Sequence, residues 1–339
     1  MVKHPPPLMK CNMNQLLKFI IILFLSKASY SMSVQKNHLN CVAANGHLSV
    51  KGNSLINQSG DNIQLKGVSS FWLNWHGEFS NASSIKSLKD NWGISIFRAA
   101  MGVEEEFGYL ENPLEMVKKV EEIIQICIKE NIYIIVDYHA HAANQNIKEA
   151  KKFFSYISKK YGTYPNIIYE VWNEPLKISW EDEIRPYMIE LIKTIRANDK
   201  DNIILLGTPY WCQRVDDAYK NPIDEKNIMY TAHFYTGTHK EKLRNNLDEL
   251  WKAGCPIFIS EFGVSIYDGG TLDKNVYLEE ADLWIDWMKK RKISWLTWSL
   301  CDKNESSALL NPGATIYGNW NEDELSKAGK YIKNKINNN

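Results

Sequence analysis

The chain has 339 residues, in which 40 lysines and arginines balance 40 aspartates and glutamates to a formal net charge of +0 at pH 7. This balance argues against nucleic acid as a partner, since phosphate binding normally requires a clustered basic excess. With 44% hydrophobic and 24% charged residues, the composition is that of a folded globular protein. The 12 tryptophans are unusual and indicate an aromatic core or a surface that stacks on flat ligands, sugars first among them.

The N-terminal segment has the pattern of a secretory signal peptide. Basic residues precede an apolar run over 19–25, and small residues follow it, which is the order of segments in such a leader. The run is too short to cross about 30 Å of hydrocarbon as a helix, which disfavours the alternative of a membrane anchor. We therefore expect residues 1–31 to be removed, by cleavage after Ala28 or Ser31, and the protein to be extracellular. Met13 is an alternative to the first residue as the true start.

Secretion changes how the cysteines are interpreted. Five remain after the leader, an odd number, so at least one is unpaired or pairs between molecules; they are Cys41, Cys127, Cys212, Cys255 and Cys301. Cys127 stands in an apolar stretch and is predicted to be a core residue. The sequence has no cysteine and histidine cluster with metal-site spacing, and we predict neither a metal nor another cofactor. Glycosylation sequons in segments expected at the surface begin at Asn57, Asn81 and Asn304.

The rest of the chain alternates short β-branched runs with longer amphipathic stretches. Strands are predicted over 63–69, 94–99, 133–137, 167–172, 203–207, 228–232, 257–260 and 294–298. Helices are predicted over 84–91, 113–130, 147–161, 180–198, 240–253, 275–291 and 323–335. An open doubly wound sheet would usually carry a glycine-rich phosphate turn after its first strand, and the sequence lacks one. We therefore predict an α/β fold, a (β/α)8 TIM barrel that occupies residues 32–339 as a single domain.

In such a barrel the catalytic groups lie at the carboxyl ends of the strands. Polar residues found at or near the predicted strand ends are Arg98, Asp137, His139, Asn173, Glu174, His233, Tyr235 and Glu261. Any one of them alone can be a packing residue or a structural ion-pair partner. Their joint placement favours a functional interpretation.

Glu174 and Glu261 stand out because each closes an apolar strand. Strands four and seven lie nearly opposite each other around a barrel, so both side chains can face one groove. A glycosidic bond is cleaved by two carboxyl groups, which are about 5 Å apart in retaining enzymes and about 6.5–9.5 Å apart in inverting ones. Arg98, on a neighbouring strand, is placed to keep one carboxylate ionised.

Several segments resemble glycoside hydrolase family 5, the cellulase family, in matching order. The segment Ile168-Tyr169-Glu170-Val171-Trp172-Asn173-Glu174-Pro175 resembles the acid/base signature of the family. Further segments that resemble it are 97–101, 137–139, 231–235 and 258–263. Segments 207–213 and 293–303 are similar to those of its bacterial-type endo-β-1,4-glucanases. The resemblance spans about residues 45 to 336, so we expect no separate carbohydrate-binding module.

The resemblance implies a retaining endo-β-1,4-glucanase that works without a cofactor through a covalent glycosyl-enzyme. It implies Glu174 as acid/base and Glu261 as nucleophile. Asn173 would bind the 2-hydroxyl of the sugar, His233 and Tyr235 would position the carboxyls, and Arg98 and His139 would complete the polar floor. The implied sugar contacts are Trp298, Trp211, Lys303 and Glu305. The strand-end tryptophans Trp72 and Trp172 are also expected where sugars would lie.

Two alternatives remain open. The same barrel can act on mannan, xylan or a mixed-linkage glucan, or it can be a carbohydrate-binding barrel that has lost catalysis. Phe71 and Trp72 stand where many relatives carry His-Gly, which affects the subsites at the non-reducing end. The expected partner is a polysaccharide, with no nucleic acid and no membrane, and the protein is expected to be a monomer.

Overall fold

Eight parallel strands form a closed barrel in the computed structural model, which describes residues 41–338 of the chain. A preceding two-stranded hairpin consists of β1 (Ser49–Lys51) and β2 (Ser54–Ile56). The barrel strands are β3 (Lys66–Ser70), β4 (Ile96–Gly102), β5 (Tyr133–His139), β6 (Ile167–Glu170), β7 (Ile204–Leu206), β8 (Ile228–Tyr235), β9 (Ile257–Gly263) and β10 (Trp295–Leu300). Each pairs with the next in chain order, and β10 closes the ring against β3. The predicted (β/α)8 barrel is confirmed, whereas the predicted leader lies outside the described residues.

Helices follow most of the strands and cover the outside of the barrel. They are α1 (Val42–Asn45), α2 (Leu73–His76), α3 (Ala82–Ser87), α4 (Pro113–Lys129), α5 (Ile147–Tyr161), α6 (Arg185–Arg196), α7 (Val215–Lys220), α8 (Glu241–Lys252), α9 (Leu278–Arg291) and α10 (Lys327–Asn338). Shorter helical segments are Gly77–Phe79, Leu88–Trp92, Ala143–Asn146, Trp180–Ile184 and the turn Pro209–Cys212. No helix within residues 41–338 is long and apolar enough to cross a membrane.

The inside of the barrel is layered because successive side chains of a strand point to opposite faces. Apolar residues that point inward form a separate core cluster near the starts of the strands, with Leu65, Ile96, Ile135, Ile168 and Phe258 among its members. A second, larger cluster lies between the strands and the helices. The inward-pointing positions nearer the carboxyl ends carry the polar residues of the sequence motifs. The fold therefore places an apolar floor beneath a polar cluster.

Several expectations about single residues are changed by the structure. Strand β4 does not end near Arg98 but continues to Gly102, so Arg98 lies inside the barrel. The sequon residue Asn57, expected at the surface, is buried and donates a hydrogen bond to Asn45. Cys127 is buried as predicted.

Candidate active site

Arg98 is the centre of the polar cluster. Its side chain is 0% exposed, and a buried charge is tolerated only where it is paired and hydrogen-bonded. The guanidinium donates to Glu170 Oε2 at 2.7 Å, Glu261 Oε2 at 3.0 Å, Asn173 Oδ1 at 2.7 Å and Ser69 Oγ at 3.3 Å, and it lies 3.0 Å from Asp137 Oδ2. Burial opposes this charge, but Asp137, Glu170 and Glu261 together raise the pKa of Arg98. One cation thus fixes side chains from four other strands and from the loop after β6.

Strand register brings the partners of Arg98 together. Asp137 on β5 pairs with Glu170 on β6, and His233 on β8 pairs with Glu261 on β9. Because neighbouring strands lie about 4.8 Å apart, each pair holds two polar groups side by side on the inner wall. Asn173 and Glu174 lie beyond the end of β6, in the loop that follows it.

Glu261 is held by one donor on each carboxylate oxygen. Tyr235 donates its hydroxyl to Oε1 at 2.8 Å, and Arg98 donates to Oε2 at 3.0 Å. Burial raises the pKa of Glu261 in spite of the neighbouring cations. Burial and the charge of Glu261 also raise the pKa of Tyr235 well above its ordinary value, so the hydroxyl remains a donor. This arrangement fixes the orientation of the carboxylate.

Glu174 is held by two imidazoles instead. His233 Nδ1 lies 2.8 Å from Oε1, and His141 Nε2 lies 3.5 Å from Oε2. Burial would raise the pKa of Glu174, but the contacts with His141 and His233 outweigh it and lower this pKa to about 2. The carboxylate of Glu174 is therefore held by two imidazoles, whereas that of Glu261 is held by a guanidinium and a phenol.

A chain of hydrogen bonds links the two halves of the cluster. His233 Nε2 lies 2.8 Å from Ser260 Oγ, which donates to Glu170 Oε1 at 2.5 Å, and Glu170 in turn accepts from Arg98. Ser260 Oγ therefore accepts from His233, whose Nε2 must carry a hydrogen. Burial opposes the charge of His233, but its contacts with the carboxylates Glu170 and Glu174 raise its pKa well above the ordinary value. His233 is accordingly a cation with both ring nitrogens engaged, a poor ligand for a metal ion.

The two glutamates lie within reach of a single sugar carbon. One carboxylate oxygen of Glu174, one of Glu261 and one ring nitrogen of His233 all lie within 4.8 Å of one another. One oxygen of each carboxylate therefore lies within 4.8 Å of the other, which is compatible with the spacing of about 5–5.5 Å between the carboxyl groups of retaining glycosidases. The chemistry that such a pair can perform is general acid/base catalysis with nucleophilic attack.

His139 and Asn173 form the floor beside this pair. His139 Nδ1 lies 2.6 Å from Asp137 Oδ2, and burial together with Arg98 lowers the pKa of His139 well below its ordinary value. Since a guanidinium only donates, Asn173 must accept from Arg98 through Oδ1, and its Nδ2 faces His139 Nε2 at 3.4 Å. A neutral imidazole and a carboxamide donor thus meet the cleft.

The cleft above the carboxylates is walled by aromatic and charged side chains. The Trp298 ring stacks on His139 at 5.2 Å with 8° between the planes, and Trp72 meets the same imidazole edge-on at 4.2 Å. The same cleft is lined by Phe71, Trp75, Tyr267, Asp268, Lys303 and Glu305. The Lys303 ammonium lies 2.9 Å from Glu305 and 4.9 Å from the centre of the Phe71 ring. Flat rings and polar groups therefore line one groove.

Two of the expected sugar-facing tryptophans are not among the residues that line this cleft. Trp172 is 0% exposed, packs against Tyr187 and donates its Nε1 hydrogen to His141 O, so the expectation that it faces sugar is wrong. Trp211 is half-buried in the turn Pro209–Cys212, where its φ is 54°. The Lys177 ammonium lies 5.5 Å from the centre of the Trp211 ring. Neither residue is among those that line the cleft around the two glutamates.

The structure brings together most of the predicted site residues and adds others. Arg98, His139, Asn173, Glu174, His233, Tyr235 and Glu261 converge in one cluster, with Trp72, Trp298, Lys303 and Glu305 on its walls. The sequence analysis assigned no role to Glu170, Ser260 and His141. A charged residue inside an apolar strand was the available signal for Glu170.

Comparisons with known proteins agree with this geometry. Residues 56–304 match the family model described as cellulase (glycosyl hydrolase family 5). Similar proteins include Endoglucanase A of Evansella cellulosilytica, 47% identical over 282 residues, and an endoglucanase of Clostridium saccharobutylicum, 41% identical over 295 residues. These alignments cover 82% and 86% of this chain but only 57% and 65% of the two relatives. The chain thus spans less than two thirds of the length of these relatives.

A solved structure shares the fold closely. The catalytic domain of an endoglucanase from Thermobifida fusca superposes with a TM-score of 0.83 at 31% identity, covering 87% of this chain and 98% of that one. A variant of the same domain has been solved in complex with cellotetraose.

Proposed function

Because the chain belongs to glycosyl hydrolase family 5, the cellulase family, we propose that it is an endo-β-1,4-glucanase that retains anomeric configuration. The observation that carries this proposal is the pair Glu174 and Glu261, whose oxygens lie within 4.8 Å at the carboxyl ends of the strands. The names of the similar proteins support a β-1,4-glucan as the substrate.

The proposed reaction has two steps. In the first, Glu261 attacks the anomeric carbon, Glu174 gives its proton to the glycosidic oxygen, and the bond between that carbon and oxygen breaks. In the second, Glu174 takes a proton from water, the water oxygen attacks the anomeric carbon, and Glu261 is released. One water is added across the bond, and two inversions restore the original configuration.

The surrounding residues have distinct tasks in this reaction. Arg98 and Tyr235 stabilise the ionised Glu261 and fix its direction of attack, while His233 orients Glu174. Asn173 is proposed to donate its Nδ2 hydrogen to the 2-hydroxyl, a contact that strengthens in the transition state. Sugar stacking is assigned to Trp298, Trp72 and Trp211, and hydrogen bonds further from the cut to Lys303 and Glu305.

The acid step requires Glu174 to carry a proton, although its pKa is lowered to about 2 while that of Glu261 is raised. The two pKa values are therefore in the reverse of the order that the reaction needs. A bound sugar excludes water from Glu174, and the loss of hydration favours the neutral acid. The partners support the proposed roles: the guanidinium of Arg98 holds the nucleophile, and the imidazole of His233 holds the acid.

Product analysis on cello-oligosaccharides by anomer-sensitive NMR tests linkage and stereochemistry together. We expect the β-anomer to form first and then mutarotate. Glu261→Gln should lower kcat by at least about a thousandfold, because the nucleophile is lost. Formation of the α-anomer, normal turnover by the variant, or higher activity on mannan than on carboxymethyl cellulose would each contradict the proposal.

We also propose that the protein is secreted after removal of residues 1–31. The order of basic, apolar and small segments supports this. The mass of the protein recovered from culture medium would distinguish cleavage after Ala28 from cleavage after Ser31, and recovery of the uncleaved chain from cells alone would contradict secretion.

A further inference from the structure

A second imidazole, that of His141, contacts Glu174 from the side opposite His233. His141 Nε2 lies 3.5 Å from Oε2, whereas His233 Nδ1 lies 2.8 Å from Oε1. Each oxygen of the carboxylate therefore has its own imidazole. The mechanism proposed above uses His233 and leaves His141 without a task.

The turn that carries His141 is held on both sides. The backbone N–H groups of His141 and Ala142 donate to Glu104 Oε1 at 2.5 and 3.0 Å, and His141 O accepts from Trp172 Nε1 at 3.3 Å. The imidazole lies 6.0 Å from the Trp72 ring. These contacts fix the backbone directly after β5 and direct the ring toward Glu174.

The two imidazoles differ in their access to water. The side chain of His233 is 2% exposed, and its other nitrogen is committed to Ser260 and through it to Glu170. The side chain of His141 is 32% exposed, and Glu174 itself is only 14% exposed. His141 is thus the partner of Glu174 that solvent reaches.

We propose that His141 exchanges protons between Glu174 and bulk water during each catalytic cycle. This inference rests on the role of Glu174 as acid/base. The step is a transfer within one contact: a protonated His141 beside ionised Glu174 converts to neutral His141 beside the protonated acid, and the reverse follows the attack of water. The N–H bond of His141 breaks and the O–H bond of Glu174 forms, and no other bond changes.

The charges that face His141 support this assignment. Glu174 from the loop after β6, Glu104 from the loop after β4 and Glu261 from β9 face the imidazole. The charge of His141 in turn helps to lower the pKa of His139 on β5. Burial lowers the pKa of His141, but Glu174, Glu104 and Glu261 outweigh it and raise this pKa above its ordinary value. Because the pKa of His233 is raised well above its ordinary value, His233 keeps its proton. The proton that exchanges is therefore the one that moves between His141 and Glu174.

The sign of the pH effect follows from this pairing. As pH rises through the pKa of His141, the pair loses its shared proton, and hydrolysis of a sugar leaving group fails. Without the imidazole, that proton must stay on Glu174 alone, beside the fixed charge of His233. The alkaline limb of kcat/KM should therefore move to lower pH when His141 is replaced.

The test compares two variants on two substrates. His141→Gln keeps an N–H donor near Glu174 Oε2 but does not titrate, whereas His141→Ala removes both functions. With cello-oligosaccharides, we expect the alkaline limb of both variants to move to lower pH, and only the Ala variant to lose plateau activity. With 2,4-dinitrophenyl cellobioside, whose leaving group needs no proton, the alkaline limb should not move. His47→Gln, an exposed site before the hairpin β1–β2, is the matched control.

The outcomes separate this inference from the proposed function. A His141→Gln profile that superposes on the wild-type profile, or an equal shift on both substrates, would overturn the proton-exchange role while leaving the glucanase assignment intact. A wild-type protein that fails to cleave cello-oligosaccharides would instead refute the function itself.

Discussion

At the scale of single residues, the site depends on a charge that has no contact with water. Arg98 binds Glu170, Glu261 and Asn173 through separate nitrogens. A planar guanidinium can serve several carboxylates at once, whereas an ammonium is a point charge on a flexible stem. The geometry around Glu261 therefore depends on the shape of Arg98 as well as on its charge.

Replacing Arg98 with lysine should damage both stability and catalysis. The ammonium would leave at least one of Asp137, Glu170 and Glu261 without its partner. Breaking a buried ion pair typically destabilises by about 3–5 kcal/mol, so we expect a loss at the lower end of that range because one charge remains. Denaturant unfolding measures the stability, and kcat on cello-oligosaccharides should fall at least about a hundredfold, since a nucleophile out of position is a poor one.

Arg196→Lys is the matched control for this substitution. Arg196 donates to the backbone carbonyls of Asp199, Asn202 and Lys226, away from the cleft. Its replacement should lower stability and leave kcat unchanged. A normal kcat for Arg98→Lys would show that the hydrogen bonds from the three guanidinium nitrogens are not needed to orient Glu261.

Residues were predictable where the strand pattern decides their direction. Glu174 and Glu261 could be found from sequence because each comes at the end of an apolar run that predicts a strand. Trp172 was misjudged because β6 ends at Glu170, and beyond that point the alternation of a strand no longer determines where a side chain points. His141 had no sequence signal, since its partner Glu174 is brought to it only by the pairing of β5 with β6.

At the scale of elements, the wall at the Trp72 end of the cleft depends on close packing between α2 and the end of β4. A Cβ added at Gly102 would lie 2.0 Å from Asn74 Oδ1 and 3.0 Å from Trp72 Cε3. Asn74 also donates to Glu106 O at 2.9 Å, which joins α2 to the loop after β4. Any larger residue at position 102 would therefore displace the Asn74 side chain and press on Trp72.

Gly102→Ala should disturb this wall without touching the carboxylates. Asn74 and Trp72 must move, so we expect KM for long cello-oligosaccharides to rise several-fold. The kcat/KM for a short aryl cellobioside should change less, because a short substrate makes fewer contacts with this wall. Steady-state kinetics on substrates of increasing length measures the difference.

Gly77→Ala provides the comparison within the same segment. The nearest atom to a Cβ at Gly77 is 3.9 Å away, an ordinary contact, so this variant should behave as wild type. Equal effects of the two substitutions, or an effect of Gly102→Ala that does not depend on substrate length, would contradict the role of this packing.

At the scale of the whole molecule, the barrel could be predicted because eight apolar runs alternate with helices in regular order. The strand bounds were less accurate at the carboxyl ends, where polar residues such as His139 and Tyr235 belong to the strands. These residues form the site, and because they are polar they interrupt the hydrophobic pattern from which the strand ends were predicted.

The barrel is stabilised by packing rather than by disulfides. Cys127, Cys212, Cys255 and Cys301 are buried, and none of these four is in a disulfide. Burial raises the pKa of Cys212 to about 11 and that of Cys301 to about 12, and it also raises the pKa of Cys127 and Cys255. Since the thiolate is the reactive form, both burial and the raised pKa make these thiols unreactive in the folded protein.

Two measurements on the intact protein follow from this. We expect the Tm to be the same with and without a reducing agent, because no bond within the barrel is cut. A thiol reagent at about pH 8, where the unperturbed thiol is partly ionised, should label these four cysteines only after denaturation. A fall in Tm on reduction, or failure of any of these four cysteines to be labelled in the unfolded chain, would mean that the protein forms disulfides and that its stability depends on oxidation as well as on the core.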